Sequence, residues 1–393
     1  MILYIAIAVI TIALAYLAGG AGRFVPAADI TGTRAQLFGR ACLAAIFVIL
    51  FCVSAFRLNV GNDYATYVEF MHRLYTDKYI ADPGVPTEWG FNLLTRAVYA
   101  ISGKESFILV FAIYAFVTIA VFLIAMWEQS KDFVLSFFMF MTLGLYYQSL
   151  STVRYYLALA IALYCMKLVN ERRWITFAAL VLIGSGFHKS ILLIIPLYLL
   201  ATIDWKKWQL AIVMVFFVSC LFLQDYYLRI LVLLYPSYEG TEYLEGSATS
   251  YINIIRCVLV LFLALYCCMD VNDCSIRELL KGKLKGRISP DPVNRFYFYL
   301  NLGALALYVF CSFVPVISRI GYYLTVSQLL FVPSLIAGLK DGKKKRIIRT
   351  LCVAACVLYF AIYLRRASSD GILILPYRTF FFNDMVDILS NVG

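Results

Sequence analysis

Charge is scarce in this chain. Only 15% of its 393 residues are Asp, Glu, Lys or Arg, whereas 63% are hydrophobic. Soluble domains contain about one quarter charged residues, so this composition excludes a soluble globular protein. The sequence also has only two His residues, no Asp-x-Asp pair and no Cys and His spacing that resembles a zinc site. We therefore predict no metal and no cofactor.

Several catalytic signatures are absent as well. The sequence contains no Gly-rich phosphate loop, no nucleophile-elbow serine, no EF-hand pattern and no evident internal repeat. Its 11 Cys are an odd number, and most of them lie in apolar stretches. This placement is typical of small buried hydrophobic side chains rather than of a disulfide framework.

Long apolar runs are what the chain has in abundance. A helix needs about 20 residues to cross a hydrocarbon core, and strong runs favour helices over the weak alternation of a membrane barrel. We predict an all-α membrane protein, a single polytopic domain over residues 1–393. The first span lacks a basic flank and a clear cleavage site, so we interpret it as a retained helix. The twelve predicted spans lie near 2–19, 41–56, 106–126, 133–149, 153–169, 175–187, 190–202, 208–223, 252–269, 297–316, 320–338 and 348–364.

The basic residues predict the orientation of these spans. With the N terminus outside, the inner loops hold 21 of the 34 Lys and Arg but 10 of the 23 Asp and Glu. The whole net charge of +11 then lies on the inner side, as the positive-inside rule expects. The external loops are 57–105 and 224–251, and a basic cytoplasmic loop spans 270–296. Because the basic clusters are confined to short loops between spans, nucleic-acid binding is not expected.

Residues 175–202 allow two interpretations. A single tilted helix would place Lys206 and Lys207 outside and invert every later span. Two short helices that meet at His188 keep these lysines inside, although the 13 residues of 175–187 rise only about 20 Å as a helix. We favour the hairpin, which predicts a thinned or water-filled region on the outer side near His188.

Ionisable residues that interrupt apolar runs are functional candidates because they are costly in a membrane. Arg154 follows a polar cluster and lies on the outer side, where the positive-inside rule does not account for it. The alternative to a functional role is that Arg154 simply snorkels from the helix end toward the membrane surface. Arg319 repeats this pattern at a later outer junction. His188 is the third candidate, and its alternative is a polar contact inside the bundle.

The loop 57–105 contains further candidates. Gly61-Asn62-Asp63 suits a tight turn where the chain leaves the membrane, and Arg57 precedes it. Tyr64 and Tyr67 share a helical face, although an interfacial aromatic belt would explain them equally well. Glu88-Trp89 opens an apolar helical pattern, where a glutamate can simply complement the helix dipole.

These motifs together resemble one family. The segments that carry the resemblance run from about residue 50 to 335, in the order of the EpsG/Wzy-type polysaccharide polymerases. One departure is Tyr155, which stands where that family often has Gln, and the Pro376-Tyr377-Arg378 tail is also similar. The matching motifs are Gly61-x-Asp63-Tyr64-x-x-Tyr67, Glu88-x-x-Phe91, Ser151-x-x-Arg154, Phe187-His188-x-Ser190 and Ser318-Arg319-x-x-Tyr322-Tyr323.

The resemblance implies a glycosyltransferase of the all-helical GT-C type, with external loops that form the catalytic cavity. It would polymerise exopolysaccharide, capsule or O-antigen from undecaprenyl-diphosphate-linked repeat units. The expected location is the bacterial plasma (inner) membrane, with the active site facing the periplasm or exterior. Its partners would be the lipid-linked oligosaccharide and the bilayer, with a chain-length regulator and a flippase as candidate protein partners.

The implied roles follow from chemistry. Arginines can hold and neutralise a diphosphate without a metal, so Arg154 and Arg319 are assigned to it. Either His188 or Asp63 would accept the proton of the acceptor hydroxyl, and His188 is favoured because an imidazole needs little pKa adjustment. Residues that would position the sugars or complete the substrate-binding set are Tyr64, Glu88, Trp89, Arg57, Tyr322 and Tyr323.

Two alternative functions remain at this point. A glycan ligase would transfer one finished glycan and has nearly the same sequence requirements. A flippase or other transporter of lipid-linked oligosaccharides should show two related halves and charges near the midplane, and the sequence shows neither.

Overall fold

A computed structural model describes residues 1–20, 34–76, 85–234, 250–272, 291–314, 317–368 and 372–382. These residues are almost entirely helical, and their only β pairing is an isolated bridge between Arg57 and Thr379. The helices are α1 (Ile2–Gly20), α2 (Arg34–Ala55), α3 (Tyr64–Thr76), α4 (Trp89–Ser102), α5 (Phe107–Gln129), α6 (Phe133–Thr142), α7 (Leu145–Gln148), α8 (Val153–Asn170), α9 (Trp174–Ser185), a 3-10 helix (Lys189–Leu193), α10 (Ile194–Thr202), α11 (Lys207–Phe222), α12 (Gln224–Leu234), α13 (Tyr251–Asn272), α14 (Pro292–Phe310), α15 (Ile317–Thr325), α16 (Gln328–Ala337) and α17 (Gly342–Arg365).

The chain is an all-α polytopic membrane protein. Within the described ranges, seven segments are long and apolar enough to cross a membrane, and α11 with the start of α12 forms an eighth candidate that is bent by 97°. Three more apolar helical segments are shorter than a full span. The seven segments are Ile2–Gly19, Gln36–Ala55, Phe107–Gln129, Val153–Asn170, Tyr251–Met269, Ile317–Ala337 and Gly342–Arg365.

Three predicted spans are interrupted or shortened. The span predicted over 133–149 breaks at Gly144, whose φ of 78° is left-handed and cannot continue a helix. The span predicted over 320–338 contains a short turn between α15 and α16 but still qualifies as one membrane-crossing segment, and the helix predicted over 297–316 ends at Phe310. Such interruptions are tolerated in membrane proteins where neighbouring segments satisfy the freed backbone groups.

The break predicted at His188 is present. The backbone of His188 is extended, with φ −156° and ψ 110°, between α9 and the 3-10 helix. Beyond it, α10 packs against both α9 and α8, as expected if the chain turns back here. A single continuous helix over 175–202 is therefore wrong.

The predicted external loops contain helices. Both α3 and α4 lie within 57–105 and pack against each other, and α12 begins the loop 224–251. Residues 235–249 of that second loop, and most of the basic loop 270–296, lie outside the described residues.

The centre of the bundle is formed by α6, α8 and α16. Most of their side chains are buried, whereas α1, α2 and α17 expose much of their apolar surface. Small residues of α8 such as Ala158 and Ala162 are fully buried and allow neighbouring helices to approach closely. A buried polar contact also links this region, because Gln328 donates to the Asn301 side chain over 2.8 Å.

The segment 372–382 returns to the beginning of the chain. Tyr4 donates to the carbonyl of Ile374 over 2.6 Å, and the amide of Gly61 donates to the carbonyl of Leu373 over 2.9 Å. This C-terminal segment therefore fixes the turn that precedes Asp63.

Candidate functional site

A partly buried ion pair lies at the centre of the candidate site. Arg154, the second residue of α8, donates through Nη1 to the carboxylate of Glu88, which immediately precedes α4. The other carboxylate oxygen of Glu88 accepts from the amide of Lys189 over 3.1 Å. Glu88 therefore joins two of the predicted motifs, because it binds both the arginine and the backbone that follows His188.

Aromatic rings support the guanidinium of Arg154. Its central carbon lies 5.3 Å from the ring centroid of Tyr67 and 5.5 Å from that of Phe91, which suits cation–π attraction. Its Nε is buried and has no hydrogen-bond partner among the described residues. The guanidinium is thus held in place by one ion pair and two rings, and its buried Nε stays without a partner in the part of the chain that the structure describes.

Two glycines allow the helices to meet at this point. The amide of Gly90 donates to the carbonyl of Gly186 over 2.6 Å, and a Cβ on Gly90 would lie only 2.6 Å from the same oxygen. A Cβ on Gly186 would lie 2.5 Å from the ring of Trp89. Only glycine permits this approach, and it places Glu88 beside Lys189. The Trp89 ring is otherwise 61% exposed.

A third glycine positions Asp63. Gly61 has a φ of 103°, and a Cβ there would lie 2.5 Å from the carbonyl oxygen of Leu150. The next amide, that of Asn62, donates to Ser151 Oγ over 3.0 Å. The turn is therefore docked on the polar segment just before α8. Asp63 follows on the same turn and faces the charges of Arg319 and Arg154.

The electrostatics of Asp63 are set by two opposing effects. Partial burial disfavours its charged form, and the nearby charges of Arg319 and Arg154 favour it. Burial dominates, so the pKa of Asp63 is raised above its ordinary value. The Asp63 carboxylate forms no ion pair with any described residue, and it is therefore available to a ligand.

His188 belongs to the same group but is electrostatically different. Its Nδ1 lies 2.7 Å from Ser190 Oγ, which lies 2.9 Å from the hydroxyl of Tyr323. Burial and the positive charges of Arg154 and Arg319 lower the pKa of His188 to about 3. Burial is the larger cause, and the arginines that would bind an anion add to it because they disfavour a second positive charge. The imidazole therefore does need pKa adjustment to act near neutral pH, and its role as the base stays a prediction.

Arg319 lies on α15, the helix whose Tyr323 contacts Ser190 just after His188. Its backbone carbonyl accepts from the hydroxyl of Tyr155 over 2.6 Å, and the ring of Tyr155 contacts both His188 and Tyr323 at centroid distances of 5.3 Å. Within the described ranges, no carboxylate forms an ion pair with the half-buried Arg319 guanidinium. Tyr155 thus connects the Arg154 motif with the Arg319 motif, which lies more than 160 residues later in the sequence. Tyr155 is also the residue that departs from the family pattern.

The other predicted substrate-binding residues lie apart from this group. Arg57 is 1% exposed, donates to the carbonyls of Ser54 and Val60, and lies 4.8 Å from the ring centroid of Phe111. Tyr64 is fully buried and stacks on that same ring at 4.7 Å. Substrate contact by Arg57 and Tyr64 stays a prediction, and their visible contacts are structural.

Four residues around the site escaped the sequence reasoning. Gly90 and Gly186 form a tertiary contact that neither sequence motif predicts. Tyr155 was noted only as a departure. Arg256 lies within α13 and contacts the ring of Tyr322, with 5.9 Å between guanidinium carbon and ring centroid. An arginine inside an apolar span is a signal that could have identified it.

The comparisons with known proteins give one match. The model of the EpsG family matches residues 40–379, a range that includes every candidate residue named above. No curated protein matches the chain, and no solved structure does.

Proposed function

The chain belongs to the EpsG family, and on that premise we propose that this polysaccharide polymerase transfers a growing glycan from a polyprenyl-diphosphate donor to a lipid-linked repeat unit. The reaction takes place at the outer face of the bacterial plasma membrane. The short apolar helices and α14 complete twelve spans of a GT-C-like fold in this proposal. Its expected protein partners are a chain-length regulator, which would act on the polymer product, and a flippase, which would supply the lipid-linked substrate.

One observation supports this function above the others. Two arginines, Arg154 and Arg319, both interact electrostatically with Asp63 and with His188. A diphosphate requires positive charge where it departs, and an attacking hydroxyl requires a proton acceptor beside it. Both requirements meet in one group of residues.

The reaction can be written with these residues. A hydroxyl oxygen of the acceptor sugar attacks the anomeric carbon of the donor glycan, and the bond between that carbon and the diphosphate oxygen breaks. The acceptor proton passes to a base of the protein, and the lipid diphosphate leaves with its negative charge bound by Arg154 and Arg319. Arginines can neutralise this leaving group without a metal ion.

Asp63 is the better base in this geometry. Its pKa is raised by burial toward the range in which a carboxylate accepts a proton effectively, whereas the pKa of His188 is lowered to about 3. Neutral His188, held by Ser190, would instead hydrogen-bond the substrate. A bound diphosphate would partly cancel the arginine charges and raise the pKa of His188, so a catalytic His188 remains the alternative to be tested.

Glu88 and Trp89 take different roles in this proposal. Glu88 fixes the guanidinium of Arg154 through its ion pair and therefore acts as a positioning residue. The exposed ring of Trp89 beside it can stack on a sugar face. The hydroxyl of Tyr323 completes the polar lining through Ser190.

The reaction class can be tested with purified protein in proteoliposomes and a synthetic polyprenyl-diphosphate-linked repeat unit. We expect a ladder of products that grow by whole repeat units, with release of polyprenyl diphosphate. A single transfer without further growth would instead indicate a ligase. Movement of the lipid-linked substrate between leaflets without any product would indicate a transporter. Either of these results contradicts the proposal.

A further inference from the structure

A second cationic site lies beside the first, on an adjacent face of α15. Arg256, near the start of α13, donates through Nη2 to Thr325 Oγ1 over 3.0 Å. Its guanidinium carbon lies 5.9 Å from the ring centroid of Tyr322. Tyr322 and Thr325 are three residues apart, so they share a helix face.

The two sites are separated by the geometry of α15. Arg319 and Tyr323 are four residues apart and face the group that contains Tyr155 and Ser190. At 3.6 residues per turn, the direction midway between Tyr322 and Thr325 lies about 110° around the helix axis from the direction midway between Arg319 and Tyr323. The short helix α15 thus presents one wall to each site.

The surroundings of Arg256 are unusual for a charge inside an apolar span. Its neighbours are phenol groups, since Tyr308, Tyr322 and Tyr359 all lie close enough to interact electrostatically with the guanidinium. Within the described ranges, no Asp or Glu forms an ion pair with Arg256, and its Nε is buried without a hydrogen-bond partner. A charge inside an apolar span without a carboxylate partner is costly unless an anion binds it.

We propose that Arg256, with Thr325 and Tyr322, binds the diphosphate of the second lipid-linked substrate. This inference rests on the proposed polymerase function, which requires two diphosphate lipids at once. The donor diphosphate must lie beside a base, and Arg154 and Arg319 have Asp63 and His188 next to them. No Asp, Glu or His of the described residues hydrogen-bonds to Arg256. A site with charge but no proton acceptor suits the acceptor diphosphate, which does not react.

The test counts bound lipids on the detergent-purified full chain by native mass spectrometry. The probe is a polyprenyl diphosphate without sugar, which cannot act as a donor. We expect two bound lipids on the wild-type chain, one on Arg256→Gln and one on Arg154→Gln. Arg229→Gln, which changes an exposed arginine of α12, should still bind two. One lipid on the wild type, or two on Arg256→Gln, would overturn the proposal.

Further variants separate binding from folding. Arg256→Lys keeps the charge in the helix, so we expect the second lipid to bind at least about 10-fold more weakly while the first is unaffected. Thr325→Val should weaken the second site alone. Equal weakening of both sites would show a structural role and overturn the inference. An excess of phosphatidylglycerol should not displace the second lipid, and displacement would show a general anionic-lipid site instead.

The outcomes also distinguish this inference from the function on which it rests. If the wild-type chain binds no polyprenyl diphosphate at all, the proposed polymerase mechanism itself fails. If it binds one lipid, which is lost in Arg154→Gln and kept in Arg256→Gln, the mechanism stands and only the second site is wrong.

Discussion

The guanidinium of Arg154 is held in a fixed position by several contacts. The Glu88 carboxylate binds one of its terminal nitrogens, two aromatic rings lie against its guanidinium, and its Nε has no partner among the described residues. A side chain that merely snorkelled at a helix end would not need this arrangement. The partly buried pair with Glu88 also means that removal of the Arg154 charge leaves the Glu88 carboxylate without its cation, so the test of turnover keeps the positive charge.

Arg154→Lys keeps the charge but loses the planar fork. We expect chain elongation to fall by about 100-fold or more, the usual scale for loss of a transition-state donor. The measurement is the initial rate of product formation with the synthetic repeat unit, at equal amounts of inserted protein. Arg229→Lys is the matched control because Arg229 is exposed on α12. A rate for Arg154→Lys near that of the wild type would show that Arg154 only anchors the helix end and does not act on the substrate.

The pH dependence should report the proton acceptor. Asp63 must be deprotonated to act, and burial raises its pKa, so kcat/KM should fall as the pH drops through that raised value. The charge of Arg319 lowers the pKa of Asp63. Arg319→Gln removes that charge, which should raise the pKa further and move the acid limb to higher pH.

His188→Gln provides the comparison for this profile. Because the pKa of His188 is about 3, its loss should leave the position of the acid limb unchanged. An acid limb that disappears in His188→Gln, together with an unshifted limb in Arg319→Gln, would assign the titration to the imidazole.

At the scale of elements, the contact between α4 and the end of α9 decides the geometry. Gly90→Ala places a Cβ 2.6 Å from the carbonyl oxygen of Gly186, so the two segments must separate. Glu88 would then move away from Lys189 and shift Arg154. A displacement of about 1 Å can cost about 100-fold in rate. Gly342→Ala is the control, since a Cβ there meets nothing within 4 Å.

The readout for Gly90→Ala is the elongation rate, with thermal unfolding in detergent measured in parallel. We expect the rate to fall while the unfolding temperature changes little, because the contact lies at the site rather than in the central α6, α8 and α16 core. Equal loss of stability and rate would mean that the contact serves folding in general.

These elements also show what the sequence can and cannot predict. The break at His188 was predicted because a continuous helix would place Lys206 and Lys207 outside, even though the two shorter helices fall short of a full span. The turn at Gly61 followed from its Gly-Asn-Asp pattern. The break at Gly144 was not predicted, since an isolated glycine in an apolar run is usually tolerated. The contact between Gly90 and Gly186 could not be predicted, because it depends on how two distant segments pack.

At the scale of the whole molecule, the proposed mechanism requires that all site residues lie on the same side of the membrane. The site residues come from four parts of the chain, and the predicted topology places all of them outside. The structure brings Arg154, Arg319, Asp63 and His188 together, which requires a common side. The family match over residues 40–379 includes all four, but it does not assign that side.

Cysteine accessibility in whole cells tests this topology. Cysteines introduced at the exposed positions Asn62 and Lys189 should react with an impermeant thiol reagent from outside, and those at Lys206 and Lys344 should not. Ser149 is a poor reporter because it is buried. The unsubstituted protein controls for native cysteines. Labelling at position 206 together with protection at 189 would show that the later spans have the orientation opposite to the predicted one.

The central claim is that Asp63 accepts the acceptor proton while two arginines hold the departing diphosphate. The most direct test compares repeat-unit addition by the wild type and Asp63→Asn, with polyprenyl diphosphate binding measured on the same samples. We predict that Asp63→Asn still binds the lipid but elongates about 10²–10⁴-fold more slowly, the range for loss of a general base. A normal product ladder from Asp63→Asn would contradict the account.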